Sequence, residues 1–344
     1  MGLFNFKNKT SSKWRIYVFV GVVIYFIAIN QVIHVRPDHV FLALIVLMLA
    51  FGKSSARRFL IDWLPFVIFW MMYDMMRGVA DNWRGIIHIE DIYDIELSLF
   101  GWLFDGKIPA FFCQDFQLAH AGTWFKGIFD LIAANLYTIH FGAPLIAGWV
   151  LWHTTNDRAM FYRFVYTLTI LNIMALITFF LFPAAPPWYV MKYGFVQPSG
   201  QLTGAAGSLV AVDQMLKMNF FTTLWDNFNP NYFAAVPSLH GSYPIVVVLF
   251  LSKKFRKYLG WLLIYPIATW AAAVYLNQHY IIDLLIGGVY IIVAYIITDK
   301  LLFPYIFNKT VFRSGETATF PDRKNSGIAD IPDQNTGAAT NPVE

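Results

Sequence analysis

"AAVPSLHGSYPIVVVLFL", residues 234–251, sets a proline, a serine and a histidine against a run greasy enough to enter a bilayer. A titratable side chain, His240, stands at the mouth of that run. The composition around it agrees with a membrane setting. Hydrophobic residues make up 58% of the 344 and charged residues only 13%, with a mean hydropathy of +0.52. A soluble domain carries about a quarter charged residues. The 18% aromatic content, including 12 Trp, suits side chains that settle at membrane interfaces. A formal net charge of +4 with no basic stripe gives nucleic acid no footing. Cys113 is the only cysteine, so neither an intrachain disulfide nor a thiolate metal cluster is expected.

A membrane span needs about 20 mostly apolar residues. Candidate runs lie at roughly 14–34, 38–52, 59–77, 127–152, 159–182, 238–252, 258–277 and 279–300. Backbone groups in lipid must bond internally, and no alternating barrel pattern is present, so these runs read as helices. The prediction is an all-α integral membrane protein with about eight transmembrane helices. The first run lacks a small-residue cleavage site and reads as a retained span or signal anchor.

Short polar links orient the spans. Lys7, Lys9, Lys13 and Arg15 precede the first, "GKSSARR" follows the second, and Arg158 and Arg163 follow the fourth. "SKKFRKY" follows the sixth, and Lys300, Lys309 and Arg313 follow the eighth. With eight spans all of these fall on one side, which an excess of Lys and Arg marks as cytoplasmic. Both termini are expected there. Two long loops, about 78–126 and 183–237, fall on the periplasmic or lumenal side. In the first, "HIEDIYDIELSLFGWLF" is apolar at 89, 92, 93, 99, 100 and 103, a spacing that predicts a helix lying in the interface. Three regions result: an accessory transmembrane hairpin at 1–58, a catalytic core at 59–303, and a tail at 314–344 whose composition predicts disorder.

In this topology His240 opens the sixth span on the outer side. The seventh span returns outward into "YLNQHYIIDLLIGG", so His279 meets the same surface at similar depth. Asp283 follows His279 by four residues, one helical turn deeper on the same face. A carboxylate inside a bilayer is costly unless paired. A bond from one ring nitrogen of His279 offsets that cost, fixes the tautomer and leaves the other nitrogen nucleophilic. His240 is then the acid and base, protonating a leaving oxygen and deprotonating an incoming hydroxyl. Either histidine alone reads as an interface residue; the pair with Asp283 at helical spacing points to chemistry. A zinc site from these residues would have three ligands and a poor spacing signature. No metal or cofactor is expected.

"PSLH" followed by "HYIID" resembles the type-2 phosphatidic acid phosphatase superfamily, whose later motifs pair Pro-Ser-x-His with His-x-x-x-Asp. "LFPAAPPW" at 181–188, "YTIHFGAP" at 137–144 and "YDMMRG" at 73–78 are similar to accessory motifs of its inositol phosphorylceramide synthase-like branch. The resemblance covers about residues 60 to 300. It implies a six-helix catalytic core formed by the last six spans and a phosphohistidine intermediate. On it His279 is the nucleophile, Asp283 its partner, and His240 the acid and base.

This chain departs from the superfamily in its basic residues. The lysine and Arg-Pro motif is absent, and Ala272 and Ala273 stand where a Ser-Arg pair is expected. Candidate phosphate-holding groups are Arg77, Lys192, Lys217 and backbone N–H groups near Ser238 at the start of the sixth helix. An i,i+3 pair with Asp74 explains Arg77 nearly as well. The prolines of "AAPPW" read equally as a helix stop. Tyr137 and His140 share one face of the fourth span near its middle; His140 reads as a pocket residue or as a buried hydrogen-bonded histidine, the pocket favoured because polar side chains at that depth usually serve function.

The expected activity is transfer of a phosphoryl headgroup, phosphoinositol from phosphatidylinositol, from a phospholipid donor to a lipid-alcohol acceptor such as ceramide. No obligate protein partner is inferred. The alternatives are a lipid phosphate phosphatase, in which water replaces the acceptor, and a transporter or scaffold, for which no internal repeat speaks.

Overall fold

Every apolar run singled out above becomes a helix. The computed structural model describes residues 12–32, 37–50, 52–75, 85–140, 142–154, 158–199, 202, 206–229 and 231–305, and among these no strand extends beyond two isolated bridges. The tail at 314–344 and Arg77 lie outside the described residues.

The first helices are α1 (Ser12–Val32), α2 (Pro37–Ala50) and α3 (Lys53–Met75). The first long loop holds α4 (Glu90–Phe100), where a helix is expected, and α5 (Pro109–Ala119). The fourth run is not continuous: α6 (Trp124–Ile139) and α7 (Ala143–Thr154) meet at 53°. Pro144 explains the break, because its ring clashes with the carbonyl of His140 and it has no N–H to offer. His140 therefore sits at the bend, near the middle of the run. α8 (Arg158–Leu181) is unbroken. The second long loop carries three short helices that hydropathy alone did not mark, α9 (Pro187–Tyr193), α10 (Leu209–Leu216) and α11 (Phe220–Phe228). The chain then forms α12 (Leu239–Lys254), α13 (Leu259–Tyr275) and α14 (Ile281–Ile296), which runs on through a π-helical turn.

Among the described residues three helical stretches, Arg158–Leu181, Arg256–Tyr275 and Ile281–Tyr305, are long and apolar enough by themselves to cross a membrane, and the bent α6–α7 pair makes a fourth if read as one span. Exposed Trp, Ile and Leu side chains stud the outside of these helices, as a lipid-facing surface requires. The protein is an integral membrane protein.

α12 is the hub. It packs against α7, α8, α13 and α14, while α3 packs on α8 and α1 touches the bundle through α2. Between them lies a core of Trp63, Phe161, Phe164, Val246, Phe250 and Ile291. The basic ends cluster at one pole. Arg163 Nε donates to Asp299 at 2.9 Å, Lys253 donates to the Tyr295 hydroxyl at 3.0 Å, and Lys254 bonds the carbonyl of Thr154. The histidines lie at the other end of the same helices, above α12 and α14.

Candidate active site

Close approach of two helices brings the histidines together. Gly287 of α14 faces the carbonyl of Ser238, where a Cβ would lie only 2.4 Å from that oxygen. Gly241 of α12 faces the Leu284 backbone, 2.8 Å from an added Cβ. The crossing is pinned by polar bonds: Ser242 Oγ lies 2.9 Å from both the Ser238 and Gly287 carbonyls, and Ser238 N–H donates to the Asp283 carbonyl at 3.1 Å. Ser238 also caps α12, its hydroxyl accepting from Gly241 N–H at 3.1 Å.

His279 arrives on a tight turn after α13. Asn277 takes a left-handed conformation, φ 62°, which asparagine tolerates at a helix end. The Ala273 carbonyl then accepts from Gln278 N–H at 3.0 Å and His279 N–H at 3.3 Å. Asn277 is held from outside by Gln114 at 2.6 Å and Ser208 at 3.0 Å, and its carbonyl accepts from Trp188 N–H at 2.9 Å. "AAPPW" therefore does more than stop a helix, because Trp188, in the first turn of α9, braces the turn that presents His279.

Asp283, fully buried, accepts through Oδ2 from Tyr280 N–H at 3.0 Å and from His279 Nδ1 at 3.1 Å. A carboxylate can only accept here, so Nδ1 of His279 carries the proton and Nε2 keeps its lone pair. That Nε2 lies 3.0 Å from Nδ1 of His240. The order Asp283–His279–His240 is therefore a continuous relay with one lone pair at its centre. His240 is itself sandwiched, against Tyr137 at 4.0 Å and 9° between rings and against His140 at 3.5 Å. His140 is fixed by a bond from its Nδ1 to the Tyr137 carbonyl at 2.6 Å.

A cavity of about 60 Å³ opens on this group. Besides the three histidines it is lined by Tyr73, Tyr137, Tyr243 and Gln278, with Trp188, Trp225, Tyr232, Asn229 and Asn231 from the second long loop. Tyr73 belongs to the "YDMMRG" stretch. Lys192 and Lys217 do not line it. Lys192 lies over the ring of Tyr193, and Lys217 caps α10 with φ 54° beside a separate depression. Ser238 is spent on the cap and the crossing, and it too is absent from the lining. The sequence reading overlooked Glu96. Its two carboxylate oxygens accept from the N–H groups of Ile281 and Ile282 at 2.8 and 3.1 Å, at the first turn of α14. The one available signal was its helical spacing from Ile92, which is also buried.

Comparisons with known proteins agree with this geometry. The model of the PAP2 superfamily matches residues 110–298. The chain is 30% identical over 279 residues to the phosphoinositol dihydroceramide synthase of Bacteroides thetaiotaomicron, covering 80% of this chain and 88% of that protein. It is 26% identical to the inositol phosphorylceramide synthase catalytic subunit AUR1 of Saccharomyces cerevisiae, over 83% of this chain and 67% of the relative. The inositol phosphorylceramide synthase of Candida albicans is 26% identical over 67% of this chain and 46% of its own length. No solved structure gives a significant match. With a family model over more than half its length, and with both histidine motifs inside the matched region, the chain belongs to the PAP2 superfamily, in its inositol phosphorylceramide synthase-like branch.

Proposed function

We propose that the protein is a phosphotransferase moving phosphoinositol from phosphatidylinositol to a ceramide-type lipid alcohol through a phosphohistidine. His279 Nε2 attacks phosphorus, the bond to the diacylglycerol oxygen breaks, and His240 gives that oxygen a proton. The acceptor hydroxyl then passes its proton to His240 and attacks the phosphohistidine, which regenerates His279. Asp283 holds the imidazole in the attacking tautomer and stabilises the positive charge it gains. Charge stabilisation and positioning supply most of the catalysis in phosphoryl transfer.

The observation that carries the reading is the Asp283–His279–His240 relay, with its bonds of 3.1 and 3.0 Å. Among the described residues no Lys or Arg lines the cavity, so charge neutralisation falls to the three imidazoles and the N–H and O–H donors around them. Trp225 and Tyr232 stack at 5.4 Å and 11°, and with Asn229 and Asn231 they form a rim of rings and amides suited to a neutral polyol.

The same proposal includes eight spans with the last six as the core, both termini cytoplasmic, and the histidines on the periplasmic or lumenal face. The basic pole at Arg163, Lys253 and Lys254, opposite the histidines, supports that orientation. The test is incubation of purified protein with headgroup-labelled phosphatidylinositol, with and without ceramide. Labelled phosphoinositol ceramide should form only with both lipids, and not in His279→Ala or His240→Ala. Release of free phosphate from phosphatidate without headgroup transfer would instead mark a phosphatase.

A further inference from the structure

Glu96 lies 185 residues from the helix it touches, on a different element, with no cation paired to it among the described residues. It is 0% exposed, and its oxygens are both used on the start of α14. A helix normally leaves its first N–H groups without intrahelical partners. Here Asp283 takes that of Tyr280, and Glu96 takes those of Ile281 and Ile282. Asp283 is the third residue of this same turn, so whatever fixes the turn fixes the carboxylate that aims His279.

We infer that Glu96 is a positioning residue for the phosphoryl transfer: from helix α4 it clamps the first turn of α14 and so holds Asp283 and His279 in line with His240. The inference rests on the reading of the relay given above. A negative group at a helix N-terminus is also favoured by the macrodipole. A core of Ile92, Ile108, Ala110, Ala184, Ala235, Val236 and Tyr280 seals the clamp.

The clamp is a titrating one. Burial pushes the Glu96 carboxyl up to about 7, against the lowering effect of the two N–H donors, and the nearby Asp283 adds to the rise. The titratable groups that act on it are Asp283 and Tyr280 from α14; Tyr93 and Asp91, on its own helix, act on Tyr280, and His88 bonds Asp91 at 2.5 Å. Ile108, Ala110, Ala184, Ala235 and Val236, clustered with Ile92 and Tyr280, are apolar. Because the clamped carboxyl titrates above its ordinary value, the closed clamp binds more protons than an opened one, so it is firmest with Glu96 protonated and weakens as pH rises through about 7.

The test uses the full chain in vesicles of phosphatidylinositol, ceramide and a neutral phospholipid. Wild-type protein is assayed first, so that absence of any transfer is charged to the functional reading and not to the clamp. Glu96→Gln should lower kcat about tenfold with KM for phosphatidylinositol within twofold, and should lose the ionisation near pH 7 from the kcat profile. Glu96→Asp, still an acid, should recover part of the rate. Asp94→Asn, exposed on the same helix, should match wild type. An unchanged kcat and pH profile in Glu96→Gln, or a raised KM with normal kcat, overturns the inference. Should both variants fail to fold, hydrogen exchange on the wild type decides. Protection at residues 281–282 must fall from pH 6 to pH 8 after correction for intrinsic exchange, because the closed clamp binds the extra proton, and a flat response overturns the clamp.

Discussion

Gly287→Ala should be far more damaging than its size suggests. The new Cβ would sit 2.4 Å from the Ser238 carbonyl oxygen and 2.8 Å from Ser242 Oγ, against the roughly 3.3–3.6 Å that a carbon and a carbonyl oxygen accept. Neither contact is a flexible tip: one is backbone, and the other bonds both chains at the crossing. α14 must retreat by about 1 Å, which stretches the 3.0 Å His279–His240 contact to roughly 4 Å, outside hydrogen-bond range. Misplacement by about 1 Å can cost on the order of 10²-fold, or about 2.7 kcal/mol in the barrier. Overpacking at the crossing should also cost about 1–3 kcal/mol of stability. The control is its neighbour. In Gly288→Ala the added carbon meets Ile245 at 3.7 Å and Trp270 at 3.9 Å, ordinary contacts, so activity should stay near wild type. The assay is labelled headgroup transfer per folded protein, with thermal midpoints alongside. Transfer by Gly287→Ala within threefold of wild type would refute the claim that helix separation sets the geometry of the relay.

Asp283→Asn keeps the shape but can donate to His279 and favour the wrong tautomer, so kcat should fall by about 10³–10⁴ with the fold retained, measured by single-turnover transfer. Tyr137→Phe keeps the ring stacked 4.0 Å from His240 and gives up a 3.4 Å bond to Gln278 and the hydroxyl's bond with Trp225, so transfer should drop less than about tenfold, by roughly what two weak hydrogen bonds contribute. Tyr137→Ala removes the stack and should lose at least about tenfold, on the scale of an aromatic pair. Lys192→Ala and Lys217→Ala should each leave steady-state transfer within about twofold, since neither side chain lines the cavity and surface charges rarely matter more.

The helices were legible because hydropathy acts over whole segments, and the His279–Asp283 pairing because four residues on a helix define a face. The break at His140 was also written locally, in Gly142 and Pro144, but a single apolar run hid it. That Lys192 and Lys217 lie off the cavity lining was not legible for a different reason. Charge identity is visible in sequence, yet its position depends on how α9 and α10 fold over the bundle. Glu96 was hidden by company: Glu90, Asp91 and Asp94 around it read as a solvated face. Only the long-range contact to Ile281 and Ile282 separates it from them.

The charge balance of the site bears on which phosphate it handles. The first three N–H groups around the start of α14 are consumed by Asp283 and Glu96, so the positive end of that helix is not offered to the substrate. Ala272 and Ala273, both buried, replace the basic pair expected of the superfamily. What remains is a trio of imidazoles beside a buried carboxylate, with no Lys or Arg on the cavity among the described residues. A phosphodiester brings one negative charge; phosphatidate brings close to two. A second charge held about 6 Å from Asp283 at an effective dielectric near 20 costs roughly 3 kcal/mol, on the order of 10²-fold. Hydrolysis of phosphatidate should therefore run at least about 10²-fold below phosphoinositol transfer in kcat/KM. Ala273→Arg should narrow that gap if the variant folds. Equal rates on the two lipids in the wild type would mean that a cation outside the described residues completes the site, and that the missing basic pair carries no specificity.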